Sequence, residues 1–152
     1  MSGAMKNDVR QRLEALFRTQ KLAVLATSSA GQPYTSLVAF AASDDLRRIY
    51  FFTPTATRKF ANIRADARVS VLINSSENRD DDFHQAISVT AVGDAHVVPE
   101  ADRSDILGDY LAKHPYLEDF AGSPSCALLR VNVRSYYLVQ NFQKVTEFHF
   151  QS

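Results

Sequence analysis

Residues 55–73, TATRKFANIRADARVSVLI, change period in their middle, and that change sets the fold. Phe60 and Ile63 are spaced for one helical face, and after Ala67 the pattern becomes that of a buried strand, RVSVLI. Thr55 or Thr57 can cap the helix start. Arg58 and Lys59 then occupy the first turn, where free N–H groups and partial positive charge make each cation cost about 0.3–1 kcal/mol. Two readings fit: the pair faces an anion held at the helix end, or both side chains simply face water.

Upstream of this stretch, residues 6–20 form an amphipathic helix with Val9, Leu13, Leu16 and Phe17 on one side. LAVLATSS at 22–29 and YTSLVAFAAS at 34–43 read as two strands joined by the turn residues AGQP, hence a hairpin. DDLRR turns the chain again into the aromatic strand IYFFT. Downstream, SSENRDDD at 75–82 reads as an acidic, solvated loop, followed by a long strand over 83–98 with Ile87, Val89, Ala91 and Val97 facing inward. Gly93 inside that strand predicts a bulge or a close backbone approach. Residues 99–121 are helical with a break at Pro115, and residues 125–150 finish as two strands or one long bent one.

Six or seven strands joined mostly by short turns imply an antiparallel sheet, and so long a sheet in a small domain curls to hide its edges. The expected fold class is therefore mainly β (α+β), an antiparallel barrel with peripheral helices. The 152 residues suit one domain, expected over 6–150, and MSGAM at 1–5 reads as an expression scar or a disordered N-terminus.

Lys plus Arg equals Asp plus Glu at 17 each, so no global field draws in nucleic acid or a membrane surface. Cys126 is the only cysteine, which excludes an internal disulfide, and it reads as a buried structural residue. No apolar run reaches the length of a membrane span and no signal pattern opens the chain, so a cytoplasmic location is expected. His84, His96, His114 and His149 are scattered without metal-ligand spacing, the DDD at 80–82 reads as solvated, and no metal site is expected. Catalytic glycine, serine-elbow and zinc motifs are missing, which leaves the helix start at 57–59 as the feature that points to chemistry. A phosphate there would accept the free N–H groups, with Arg58 as a bidentate fork and Lys59 as a mobile point charge.

QPYTSLVAF, followed by IYFFTPTATRKFANIRADARVSVLI and the VGDA late in the fifth strand, resembles the pyridoxamine 5′-phosphate oxidase-like, FMN-binding split-barrel family over residues 10–98. The tail SPSCALLRVNVRSYYLV is similar as well. The resemblance implies a split barrel and FMN as cofactor, with FAD, haem and deazaflavin as the alternatives found among relatives. It implies that Arg58 and Lys59 bind the FMN phosphate with help from Thr57, and that Phe52 and Thr53 line the flavin ring and ribityl chain. Ser36, Leu37 and Val38 match the segment running under the ring, and Ser88 falls where the oxidase carries a glutamine. The resemblance further implies a homodimer with cofactor sites at the subunit interface, completed by late strands around residues 136–142, and a small-molecule substrate. Ser36 and Ala41 replace an arginine and a lysine of the oxidase, there is no tryptophan, and the C-terminus lacks its Arg-x-His element. Oxidation of pyridoxamine phosphate itself is therefore not expected. An FMN-dependent oxidoreductase of unassigned substrate is the leading expectation, with no residue named as proton donor. A non-catalytic flavin- or haem-binding storage or sensor protein is the alternative.

Overall fold

The computed structural model describes residues 7–151; the expected scar at 1–5 lies outside them. Helix α1 (Asn7–Thr19) precedes strands β1 (Leu22–Ser29), β2 (Gln32–Ala42) and β3 (Arg48–Pro54). Helix α2 (Arg58–Ala65) leads to β4 (Arg68–Asn74), the short α3 (Asp82–Gln85) and β5 (Ile87–Val97). Helix α4 (Glu100–Lys113), a single 3-10 turn and α5 (Glu118–Gly122) precede β6 (Cys126–Gln140) and β7 (Lys144–His149).

All pairings are antiparallel, in the order β3-β2-β1-β4-β5-β6-β7, and β6 also pairs with β3 to close a six-stranded barrel with β7 appended. Alternation sends Leu25, Val38, Phe40, Ile49, Phe51, Val71, Val89 and Val131 inward, each at most 6% exposed. The apolar stripe of α1 plugs this interior, with Phe17 edge-on to Phe40 at 5.8 Å. A second core lies outside the barrel, where Phe52, Leu128 and Cys126 meet Tyr110 of α4 and Ala121 of α5. The buried position of Cys126 agrees with a structural role.

The barrel is split on one side. Strand β2 pairs with β1 from Gln32 to Ala39, yet with β3 only from Phe40 to Ala42. Strand β3 instead follows β6 along its whole length, Arg48–Pro54. The edge of β2 over residues 32–39 thus has no strand neighbour on the β3 side.

Gly93 does both things expected of it. A Cβ there would sit 2.1 Å from the Asn132 carbonyl oxygen, and the register across β5 and β6 shifts at this point. Val92 pairs with Ser135 and Gly93 with Val133, leaving Arg134 as an extra residue in β6.

Two expectations for the fifth strand are corrected. Residues 83–85 are helical, because the Asp82 carboxylate accepts the N–H groups of Glu77 at 2.8 Å and Arg79 at 3.1 Å and folds the acidic loop on itself. Val97 is 46% exposed, and Val98 takes the buried place as the chain leaves the barrel for α4.

Candidate functional site

Helix α2 starts where β3 ends, at the mouth of the split. Thr57 has extended backbone (φ −112°, ψ 157°) and its hydroxyl oxygen accepts the Phe60 N–H at 3.3 Å, so it is the N-cap. That hydroxyl donates to the Pro54 carbonyl at 2.9 Å and lies 3.2 Å from the hydroxyl of the fully buried Thr53. Thr55 is engaged elsewhere: its N–H and hydroxyl both bond the Ser125 carbonyl and hold the loop to the start of β6. On the inner face of α2, buried Asn62 donates to the Thr27 hydroxyl of β1 at 3.0 Å. This buried polar pair fixes the direction of the helix, and nothing in the sequence pattern singled it out.

The first turn of α2 contains no acidic residue. Arg58 is exposed, with its guanidinium 5.9 Å from the Tyr34 ring on β2, and Lys59 is half-buried. Among the described residues no carboxylate pairs with either cation. The helix end therefore carries two positive side chains on top of its own partial positive charge.

Across the opening, Ser36 of β2 places its hydroxyl oxygen in a buried position without a hydrogen-bond partner. Val38 points into the core, whereas Leu37 is 65% exposed on the outer face. Phe52 packs its ring under α4, 4.9 Å from Tyr110 and with the Arg103 guanidinium 5.3 Å away. Only its backbone is left to face the opening. Ser88 pairs with Asn74 and Val139 on β5, and β1 and β4 separate it from β2. Thr53, Thr57, Arg58 and Lys59 thus meet where β3 ends and α2 begins, while Val38 is buried in the barrel core and Leu37 and Ser88 lie on the outer sheet face.

A cleft of about 700 Å³ lies away from this site, between α1, the β2–β3 turn and α4. Burial pulls the Lys113 ammonium in its wall down to about 8. Its Nζ donates to the Phe17 carbonyl at 2.7 Å and sits 3.7 Å from the Phe40 ring centre, so it clamps the end of α1. The neighbouring His114 is buried, with Nε2 2.7 Å from the Phe40 carbonyl. No group of metal-ligating side chains occurs among the described residues, and no described helix is long and apolar enough to cross a membrane.

The arrangement suits a phosphorylated ligand entering the split. Its phosphate would meet the α2 N–H groups and two unpaired cations, and its polar chain would meet the open edge of β2 and the orphaned Ser36 hydroxyl.

Comparison with known proteins bears on the fold. A haem-binding protein from Mycobacterium smegmatis superposes with a TM-score of 0.83 at 14% identity, covering 96% of this chain and 60% of that one. General stress protein 26 from Bacillus anthracis gives 0.70 at 16% identity, covering 93% and 98%. An FAD-binding protein from Mesorhizobium loti gives 0.67 at 18% identity, covering 84% and 90%. No curated protein matches the chain. Residues 9–140 match the family model described as pyridoxamine 5′-phosphate oxidase, and with most of its length so matched the chain belongs to the pyridoxamine 5′-phosphate oxidase-like split-barrel family.

Proposed function

We propose that this chain is an FMN-binding oxidoreductase acting on a small molecule, with the flavin phosphate held at the start of α2. The observation that carries the reading is the pair Arg58 and Lys59 in the first turn of α2, unpaired by any described carboxylate. FMN, when bound, supplies the two-electron chemistry. The chain binds and orients: Thr57, Arg58 and Lys59 hold the phosphate, and Thr53, Ser36 and the open edge of β2 line the path of the ribityl chain. Pyridoxamine phosphate is a poor candidate substrate, because Ser36 and Ala41 offer no cation for a second phosphate. The Ala41 side chain, moreover, is buried in the second core.

The cofactor site is completed in a homodimer. Leu22, Leu37 and Leu72 are 56%, 65% and 36% exposed on the outer face of β1, β2 and β4, and the register brings Leu37, Val24 and Leu72 into one row. Such a patch on a small domain favours a second copy.

Titration of the purified protein with FMN and with riboflavin tests the reading. A charge-assisted hydrogen bond is worth about 1.5–3 kcal/mol, so Lys59→Gln should weaken FMN roughly tenfold or more and leave riboflavin nearly unchanged. Equal losses for both ligands would remove the phosphate assignment. Haem is the second reading, prompted by the haem-binding protein of the same fold. A Soret band in the purified protein, with no flavin released, would put haem first.

A further inference from the structure

Outside the split, β6 and β7 hold a hydrogen-bonded chain of three side chains. The Ser135 hydroxyl lies 2.6 Å from His149 Nδ1, and His149 Nε2 lies 3.1 Å from the Glu147 carboxylate. In the neutral imidazole the carboxylate fixes the tautomer: Nε2 donates to Glu147, and Nδ1 is left to accept from the serine. Nucleophile, base and orienting carboxylate thus stand in reacting order, and such a set is recognised by geometry and roles rather than by sequence position.

The backbone is bent to build this set. Val131 and Val133 of β6 face inward, so strict alternation would turn Ser135 inward too. The extra residue Arg134, opposite Gly93, reverses the alternation, so Tyr136 and Leu138 become the buried residues and Ser135 faces out. There it stands directly opposite His149 in the β6–β7 register, and the Tyr137 ring meets the imidazole edge-on at 5.8 Å. Re-aiming a side chain is a recurrent use of bulges.

We propose that Ser135, His149 and Glu147 form an acyl-transfer site for small activated esters, separate from the flavin chemistry. Ser135 Oγ bonds to the ester carbonyl carbon as its proton passes to His149 Nδ1. The ester C–O bond then breaks, and the alcohol leaves with that proton while the acyl group stays on Ser135. Water gives a proton to the same nitrogen and bonds to the acyl carbon; the bond from that carbon to Ser135 Oγ breaks, Oγ takes the proton back from Nδ1, and a carboxylic acid leaves with no oxidant or reductant consumed. Glu147 orients the imidazole and is a positioning residue.

The full-length protein would be treated with a fluorophosphonate probe, the adduct located by peptide mass, and p-nitrophenyl acetate hydrolysis followed with and without FMN. The expected result is one adduct at Ser135 and turnover that is indifferent to FMN. General-base loss in His149→Gln should cut labelling and turnover by about 100-fold or more, and Glu147→Gln by several-fold. Circular dichroism and melting of each variant report folding. An unlabelled wild-type Ser135, labelling confined to other residues, or equal labelling of Ser135 in His149→Gln would each overturn the proposal, and none of these outcomes bears on FMN binding at α2.

Discussion

Replacing Gly93 by alanine tests the strand crossing on which both halves of β6 depend. The added Cβ would lie 2.1 Å from the Asn132 carbonyl oxygen, 2.9 Å from its carbon and 3.1 Å from Val133 Cα, all backbone atoms. No side chain can swing aside, so β5 and β6 must part by roughly 1 Å before the contact becomes tolerable. Overpacking of that kind costs about 1–3 kcal/mol, and stretching the adjoining ladder bonds adds about 1–3 kcal/mol. The restricted unfolded chain returns about 0.4–1 kcal/mol, which leaves a net loss near 3 kcal/mol. For a chain of this size that is a fall in Tm of roughly 6–12 °C. Gly108 of α4 is the internal control: a Cβ there meets nothing within 4 Å, and alanine should stabilise the helix by about 0.5–1 kcal/mol. Urea and thermal melts of the two variants should therefore move in opposite directions. A Gly93→Ala protein within about 1 kcal/mol of wild type would show that the close approach does not hold the bulge.

Two further outcomes follow from named charges. Without ligand, Lys59→Gln should melt level with or up to roughly 4 °C above wild type, because about 0.3–1 kcal/mol of helix-end repulsion disappears. Arg58→Gln should change little, since it also gives up the contact with Tyr34. A clear drop in the melting of ligand-free Lys59→Gln would contradict the electrostatic reading of the helix start. Burial holds the imidazole of His114 below its ordinary pKa against an opposing hydrogen bond to Phe40, with Lys113 and Lys21 pushing the same way as burial. The unfolded chain, with a histidine pKa of about 6.5, then takes up the proton first. This contribution to stability is present above about pH 6.5 and is lost as pH falls toward the folded value. Chemical denaturation at pH 7.5 and pH 5 should show a smaller acid loss in His114→Gln than in wild type, and equal losses would exclude His114 as the source.

The parts of this molecule legible in its sequence are those governed by neighbours a few residues away. β1 and β4 fall on the stretches expected from their apolar runs, and the Thr57 cap with its two cations lies within the consecutive residues Thr57–Phe60 at the start of α2. What the sequence could not reveal depends on register between distant strands. Whether Phe51 or Phe52 enters the barrel is fixed by β3 pairing with β6, about 77 residues later, and the split opens where β2 parts from the other edge of β3 beyond the Phe40–Phe51 pair. Ser135 and His149 are 14 residues apart on opposite sides of a turn, and they meet only because one extra residue at Arg134 reverses the alternation of β6. Gly93 signalled that some irregularity was coming, but its partner strand, and therefore the side chain it re-aims, could not be read from its own neighbours. The α2 end of the barrel is thus written locally, by a cap and two charges. The Ser135 face is written by a close backbone approach that exists only once β5 lies against β6, so a single methyl group at position 93 should disturb the second site more than the first.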